Sequence, residues 1–159
     1  MPTITLHAAA EADTVQVLAL ILDAFEEYRG VLNPPSGAHR ETADTIHKKL
    51  VEGGGFIAYV GEKASGCVLY EPEANGLYLG RLAVLPDYRK QGVAHALIEA
   101  VENRACELNL AKVTLGVRVQ LSGNRAFFER LGYQVVAYDM HDGFSEPTFM
   151  TLEKALPLP

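Results

Sequence analysis

One segment of the chain, residues 77–94, constrains its fold more than any other. It reads LYLGRLAVLPDYRKQGVA, an apolar strand pattern followed by a Pro-Asp turn and a long amphipathic helix that opens at Arg89. Backbone N–H groups at the start of a helix lack partners, and the helix dipole places about half a positive charge there. Gly92 allows a ligand to approach the backbone, while Arg89 and Lys90 add positive charge. The segment therefore predicts an anion site, with phosphate or pyrophosphate as the ligand.

Composition narrows the class of protein around this segment. The chain has 159 residues, of which 48% are apolar, and its net charge is −6 at pH 7. These values fit a single globular domain over residues 1–159. They argue against nucleic acid as a partner, because a nucleic-acid-binding domain would carry a basic face. The acidic balance permits a cationic substrate without demanding one.

Further residue patterns bear on location and on metal binding. The N-terminus lacks a basic region followed by an apolar run, and no apolar stretch approaches the roughly 20 residues of a membrane span. We therefore expect a cytoplasmic protein without membrane contact. Cys67 and Cys106 lie in apolar strand and helix patterns, which favours reduced core thiols. The histidines show no metal-ligand spacing, so no metal is expected.

The apolar spacing predicts a mixed α/β protein. Strands are predicted over residues 3–7, 56–60, 64–71, 77–85, 112–119, 134–140 and 149–153. A first helix is predicted from Asp13, with Gln16 as its capping partner, to about Gly30, and a second helix carries the apolar residues of segment 43–50. Two more helices are predicted, from Arg89 to about Asn109 and over residues 124–131. The order implies a βαβ crossover around the long third helix.

Two motifs, taken together and in this order, resemble those of the GNAT superfamily of acyl-CoA-dependent N-acyltransferases. The first joins residues 82–86 to the pattern Arg89-x-x-Gly92-x-Ala94, and the second is NRAFFERLGY over residues 124–133. The resemblance covers about residues 56–156, whereas residues 1–55 agree in layout only, in a region that often builds the acceptor site. It implies a GNAT fold, in which about four helices flank a mixed sheet of six to seven strands and the fourth and fifth strands splay apart.

The same resemblance implies that the cofactor is acetyl-CoA. In the family, strand backbone like that of Leu82, Ala83 and Val84 hydrogen-bonds the pantetheine arm. The loop implied to cradle the pyrophosphate comprises Arg89, Lys90, Gln91, Gly92, Val93, Ala94 and His95. Asn124, Phe127 and Phe128 are implied to lie beside the distal arm and the thiol. For Asn124, a role as the N-cap of its helix is an equally open interpretation.

Three positions depart from common family patterns. Phe128 stands where many members have a tyrosine that protonates the departing thiolate. Gly116 stands where enzymes that acetylate ribosomal-protein N-termini often have a glutamate, and Tyr78 stands where histone-type members place a glutamate base. These departures argue against an enzyme of either type.

Three residues remain as candidates for the catalytic proton transfers. Tyr78 is expected to face the cleft, where an ordinary pKa near 10 suits an acid or a water-holding group better than a base; a core aromatic is the alternative interpretation. His141 has a suitable pKa for a base at neutral pH, with a plain surface histidine as its alternative. Glu71, at the end of its strand, is the third candidate. Tyr28 and the loop 33–36 are expected to close over the acceptor.

The predicted function is transfer of an acetyl group from acetyl-CoA to a primary amine. The first expected acceptor is the amine of a small molecule. Direct transfer is expected because neither cysteine lies beside a motif. A peptide or protein amine is the second acceptor class, and the acidic composition mildly favours a cationic acceptor. An acyl-CoA-binding module with little or no catalysis is the alternative from a different class. A homodimer is left open, and the absence of G-x-x-x-x-G-K-[ST] and G-x-G-x-x-G disfavours other nucleotide binders.

Overall fold

The computed structural model describes residues 3–157, in which seven strands form one mixed sheet. The strands are β1 (Ile4–Ala8), β2 (Gly54–Val60), β3 (Lys63–Glu73), β4 (Gly76–Val84), β5 (Lys112–Arg118), β6 (Gln134–Asp139) and β7 (Phe149–Ala155). Their order across the sheet is β1-β2-β3-β4-β5-β7-β6. Within these residues β4 and β5 pair in parallel, and the other neighbouring pairs are antiparallel. The predicted strand–helix–strand crossover is therefore confirmed.

Four α-helices of the described chain cover the two faces of the sheet. They are α1 (Thr14–Phe25), α2 (Ala43–Glu52), α3 (Val93–Glu107) and α4 (Ser122–Arg130). Side chains alternate between faces along a strand, so Ile57 and Cys67 pack with α1 and α2, whereas Ala58 and Val68 pack with α3. Two apolar layers thus hold one sheet between them. No helix within residues 3–157 combines the length and the apolar character needed to cross a membrane.

Several helix ends differ from their predicted positions. Helix α1 ends at Phe25 and continues as a 3-10 turn, so Gly30, with φ +76°, lies beyond the helix rather than at its end. The Asp13 carboxylate precedes α1 as predicted, but it accepts from the N–H of Ala10 at 2.8 Å instead of pairing with Gln16. The cause is a 3-10 turn just before α1, whose free N–H lies nearer to the carboxylate.

The two helices that carry the sequence motifs also begin elsewhere. Helix α3 begins at Val93 and not at Arg89, because Gly92 takes φ +90°, a left-handed conformation that interrupts the chain before the helix. Helix α4 begins at Ser122, two residues earlier than predicted. Asn124 therefore lies inside its first turn, and the N-cap interpretation of Asn124 is wrong.

The predicted splay between β4 and β5 is confirmed, and its origin is a β-bulge. Parallel pairing extends from Gly76↔Lys112 to Leu79↔Leu115 and then stops. At that point the register between β3 and β4 shifts, and Arg81 adopts φ +51°. A bulge bends its strand and increases the local twist, which directs the end of β4 away from β5. Ala83 and Val84 then keep Cys67 and Gly66 as their β3 partners, and residues 82–84 have no paired strand on the other side in the described sheet.

Candidate active site

Two adjacent cavities of the described structure lie along the splayed strands. The first, here called the α3 cavity, has a volume of about 500 Å³ and lies between the end of β4, the start of α3 and α4. The second, here called the β5 cavity, also has a volume of about 500 Å³ and lies between β3, β4, β5 and the loop after α1. Residues on the walls of both are Phe25, Tyr28, Leu82, Asn124 and Phe128. These five residues mark the place where the cavities meet.

The residues implied to bind the cofactor lie around the α3 cavity. Those on its wall are Leu82, Ala83, Val84, Arg89, Lys90, Gly92, Val93, Ala94, His95, Asn124, Phe127 and Phe128. Gln91 belongs to the same predicted set, but it is exposed and does not line this cavity. Its side-chain amide donates to the carbonyl of Asp87 at 3.0 Å, within its own turn. The motif therefore supplies one wall through its backbone and small side chains.

The start of α3 is shaped to present free backbone N–H groups to the α3 cavity. Lys90 and Gly92 both have positive φ, +61° and +90°, and turn the chain into the helix. A Cβ on Gly92 would meet only Ile4 Cδ1 at 3.8 Å, so the backbone conformation rather than crowding favours glycine. The first N–H groups of an α-helix lack intrahelical acceptors and carry the positive end of the dipole. This geometry fits a pyrophosphate group.

Arg89 forms structural contacts that the sequence does not predict. Its Nε donates to the carbonyl of Val84 at 3.1 Å, and its Nη2 to the carbonyl of Ala24 at 3.4 Å. Its Nη1 forms an ion pair with Glu27 at 2.5 Å. The guanidinium thus ties the end of α1 to the end of β4, and Lys90 is the more exposed cation of the loop.

The three catalytic candidates, Glu71, Tyr78 and His141, all lie on the wall of the β5 cavity. The ring of Tyr78 lies over the two glycines at which the strands part. A Cβ on Gly116 would come within 3.1 Å of its hydroxyl, and a Cβ on Gly80 within 3.3 Å of its ring. Burial raises the pKa of Tyr78, although Arg81 opposes this effect, so its hydroxyl stays protonated at neutral pH. Glu71 lies opposite Tyr78 in the β3–β4 register and is exposed.

His141 is fixed by its neighbours on β7 and in the loop before it. Its ring Nδ1 lies 2.5 Å from the hydroxyl oxygen of Thr148, and its backbone N–H donates to the same oxygen at 2.9 Å. The ring also packs edge-on against Phe149, with centroids 5.0 Å apart. Burial and the nearby charge of Arg118 lower the pKa of His141. Its imidazole is therefore neutral at pH 7 and able to accept a proton.

The sequence groups Tyr28 with the loop 33–36 that is expected to close over the acceptor, but the structure places Tyr28 nearer the centre of the site. It lies at the junction of the cavities, with Asn124 and Glu27 beside its hydroxyl. Burial, reinforced by Glu27, raises the pKa of Tyr28, which keeps the hydroxyl protonated. The sequence gives only a weak signal for this role, because Tyr28 lies outside both motifs and more than 90 positions from Asn124.

A buried carboxylate that the sequence does not point to supports the β5 cavity from beneath. The side chain of Glu41 is only 4% exposed and binds Arg81 at 2.6 Å and Lys49. It also accepts from the Thr45 hydroxyl at 2.6 Å. Burial alone opposes ionisation of Glu41, but these hydrogen bonds outweigh it and lower the pKa to about 2. Within residues 3–157, no group of three or more His, Cys, Asp and Glu side chains is arranged to hold a metal ion.

A parallel strand pair that splays beside an anion-binding helix start is the arrangement expected of an acyl-CoA-dependent transferase. The family model described as "Acetyltransferase (GNAT) family" matches residues 18–133, most of the chain. The chain therefore belongs to the GNAT acetyltransferase family and is an acetyltransferase. Members of this family bind acetyl-CoA. No curated protein sequence matches the chain significantly.

Solved structures of the same fold include enzymes with different acceptors. The ribosomal-protein-S18-alanine N-acetyltransferase from Escherichia coli is 18% identical, with a TM-score of 0.77 over 99% of this chain and 96% of that chain. The PaiA N-acetyltransferase from Thermoplasma acidophilum, in complex with coenzyme A, is 17% identical, with a TM-score of 0.79 over 96% and 99%. A nourseothricin acetyltransferase is 20% identical, with a TM-score of 0.61 over 67% and 66%. At these identities the likeness concerns the fold alone.

Proposed function

We propose that this protein transfers an acetyl group from acetyl-CoA directly to the primary amine of a small molecule. The observation that carries the proposal is the pair of cavities that meet at Tyr28, Leu82, Asn124 and Phe128. The α3 cavity takes the donor and the β5 cavity takes the amine, so the thioester and the nitrogen meet at the junction. Placing two reactants together in this way supplies roughly 7–11 kcal/mol of barrier lowering in favourable cases.

On the donor side, the chain supplies backbone rather than charge. Residues 82–84 have an unpaired edge in the described sheet, which suits the amides of the pantetheine arm. The N–H groups at the start of α3 suit the pyrophosphate, with Lys90 beside them. Phe127 and Phe128, whose ring centroids are 5.3 Å apart, form an apolar wall next to the arm.

On the acceptor side, His141 is the proposed base. A primary amine is protonated at neutral pH and must lose that proton before its nitrogen attacks the acyl carbon, and the neutral imidazole of His141 accepts it. In the tautomer whose Nδ1–H donates to the Thr148 oxygen, Nε2 is free to accept the proton. Glu71 lies on the same wall and offers a second acceptor through water. The C–N bond then forms as the C–S bond breaks.

The departing sulfur needs a proton that Phe128 lacks. Tyr28 is the proposed donor, because it lies at the junction and burial keeps its hydroxyl protonated. Tyr78 lines the β5 cavity and not the α3 cavity, so its proposed role is to hold the amine or a water molecule. The products are an acetylated amine and free coenzyme A, and the proton that the nitrogen loses as the amide forms restores the Tyr28 hydroxyl.

A small acceptor is favoured over a peptide by the loop after α1. Its Asn33 N–H donates to Gln120 at 3.3 Å, and Arg118 donates to the carbonyls of Pro34 at 2.7 Å and Pro35 at 3.1 Å. These bonds hold the loop across the end of β5 and close the β5 cavity on that side. A peptide amine remains the second candidate acceptor. The cytoplasmic location and the single domain stay predictions, and a homodimer is left open.

Two measurements test the proposal against a binding module without catalysis. Calorimetry should detect coenzyme A binding, and a thiol-release assay over a panel of amines should detect turnover. Binding without turnover of any amine supports the binding module instead. Absence of binding would contradict both functions.

A further inference from the structure

Arg118 differs from the other cations of the β5 cavity. It ends β5 on the same face as Gly116, where the ring of Tyr78 lies. Two of its N–H groups donate to the carbonyls of Pro34 and Pro35. A guanidinium has five N–H donors in a rigid plane, so the remaining three are available to a ligand. The two carbonyls fix the plane of the group without neutralising its charge.

The other two cations on the wall have a carboxylate partner. Lys49 and Arg81 both pair with the buried Glu41. Within residues 3–157, no carboxylate lies within ion-pair distance of Arg118. Its partial burial lowers the pKa of Arg118, as expected for a charge that loses water without gaining an opposite charge. A partly buried cation without a counter-charge is costly unless a ligand completes it.

The charge of this cavity therefore differs from that of the whole chain. Three cations, Lys49, Arg81 and Arg118, line it together with one carboxylate, Glu71, whereas the chain as a whole carries −6. The buried Glu41 lies behind Lys49 and Arg81 and does not line the cavity. The composition mildly favours a cationic acceptor, but the wall of the cavity favours an anionic group. The charges that surround the acceptor count for more than the mean charge of the protein.

We propose that the acceptor carries a carboxylate close to its amine, as in an amino acid, and that Arg118 binds this carboxylate. The inference rests on the proposed acetyl transfer and names its acceptor class. A guanidinium matches a carboxylate with two parallel hydrogen bonds, which gives orientation as well as affinity. Arg118 and His141 lie on the same cavity wall, so a carboxylate held by Arg118 places a neighbouring amine beside the base.

The test uses pairs of acceptors that differ only in the carboxylate. The common α-amino acids and their carboxamides are compared by thiol release at saturating acetyl-CoA. Carboxamides have the less basic amine and so more of the neutral form, which works against the expected result. We expect at least one amino acid to exceed its carboxamide by about tenfold or more in kcat/KM, the size of a lost charge-assisted hydrogen bond.

Substitutions of Arg118 distinguish binding of the acceptor carboxylate from support of the loop that contains Pro34 and Pro35. Arg118→Gln should remove the preference for the carboxylate and leave the KM for acetyl-CoA unchanged, whereas Arg118→Lys should keep part of it. Arg104→Gln, on α3 and paired with Glu107 at 3.9 Å, is the matched control and should change neither value.

Three outcomes would overturn the inference. Equal or better use of carboxamides by the unaltered protein excludes a carboxylate site while leaving acetyl transfer intact. An equal loss for both members of a pair in Arg118→Gln shows that Arg118 only holds the loop. No turnover with any amine contradicts the acetyl transfer and its acceptor class together.

Discussion

The α3 cavity and the β5 cavity are neighbours of similar volume, but they are built in opposite ways. The wall of the α3 cavity comes largely from one continuous segment, residues 82–95, and works through backbone groups and small side chains. The wall of the β5 cavity comes from side chains such as Tyr28, Glu71, Arg118 and His141, which are distant in sequence. A cofactor common to a whole family suits a backbone site, whereas an individual acceptor suits side chains that vary independently.

The largest expected effect concerns Tyr28, which lies at the junction of the α3 cavity and the β5 cavity. Tyr28→Phe should lower kcat about a thousandfold, because no proton donor remains beside the sulfur, while both KM values change little. Adding Phe128→Tyr to this variant should restore much of kcat, since a hydroxyl then returns at the other side of the junction. Steady-state kinetics at saturating substrates measures both effects. Tyr138→Phe, on the exposed edge strand β6, is the control, and an unchanged kcat in Tyr28→Phe would exclude Tyr28 as the acid.

A second test concerns the buried charge beneath the β5 cavity. Glu41→Gln should lower the free energy of unfolding by about 3 kcal/mol, because Lys49 and Arg81 lose their carboxylate. Coenzyme A affinity should stay unchanged if the two cavities are independent. The folded-state pKa of Glu41 is about 2, below its ordinary 4.5, so its contribution is present above pH 4.5 and is lost as the pH falls toward 2.

Denaturant unfolding at several pH values measures this contribution. Glu62→Gln, in the exposed turn between β2 and β3, serves as the control. Coincident unfolding curves for Glu41→Gln and the unaltered protein would show that the ion pairs of Glu41 add no stability.

The base is tested through the pH profile of kcat. The pKa of His141 lies below its ordinary 6.5, so the neutral base is present at pH 7 and is lost as the pH falls through the lowered value. His141→Gln should lower kcat at pH 7 about a hundredfold and remove the acidic limb of the profile. His47→Gln, an exposed histidine near Glu11, is the control. An acidic limb that persists in His141→Gln would assign the base to another residue, with Glu71 next.

The smallest expected effect concerns Gly92 and tests whether backbone conformation, and not steric crowding, favours glycine at the start of α3. Gly92→Ala places a side chain at φ +90° in ordinary contact with Ile4 Cδ1 at 3.8 Å, so the cost is backbone strain of about 1–2 kcal/mol. If relaxation of the strain displaces the N–H groups, the KM for acetyl-CoA should rise about tenfold while that for the amine stays constant. Gly61→Ala, at φ +61° with no atom within 4 Å of the added Cβ, carries the same strain away from both cavities. Equal KM changes for both substrates would contradict the assignment.

The sequence predicts the α3 cavity well for the same reason that the cavity is built locally. A strand, a turn and a helix start follow one another, so their chemistry is visible in residues 77–94. The predicted helix start at Arg89 is wrong, because the conformation of Gly92 depends on the packing of the finished turn. The bonds of Arg89 to Ala24 and Glu27 also depend on α1 and the 3-10 turn after it, which the motif does not contain.

The β5 cavity is predictable only in part. The sequence indicates Tyr78, His141 and Glu71 separately, and the structure brings all three to one wall. No sequence pattern indicates the ion pairs of Glu41, because Glu41 and Arg81 are 40 positions apart and meet only through the bulge in β4. Contacts of this kind follow from tertiary packing and not from spacing along the chain.

The bulge at Arg81 has a further consequence for how the protein tolerates its own unpaired strand. Beyond the bulge, residues 82–84 form an edge in the interior of a sheet, and exposed edges invite pairing with other chains. Arg89 Nε donates to the carbonyl of Val84, and the start of α3 lies beside residues 82–84. Both features hinder another chain from pairing with this edge. A ligand whose amides complete the ladder would act as a missing strand, and the sheet would then reach its full number of strands only when the enzyme is loaded.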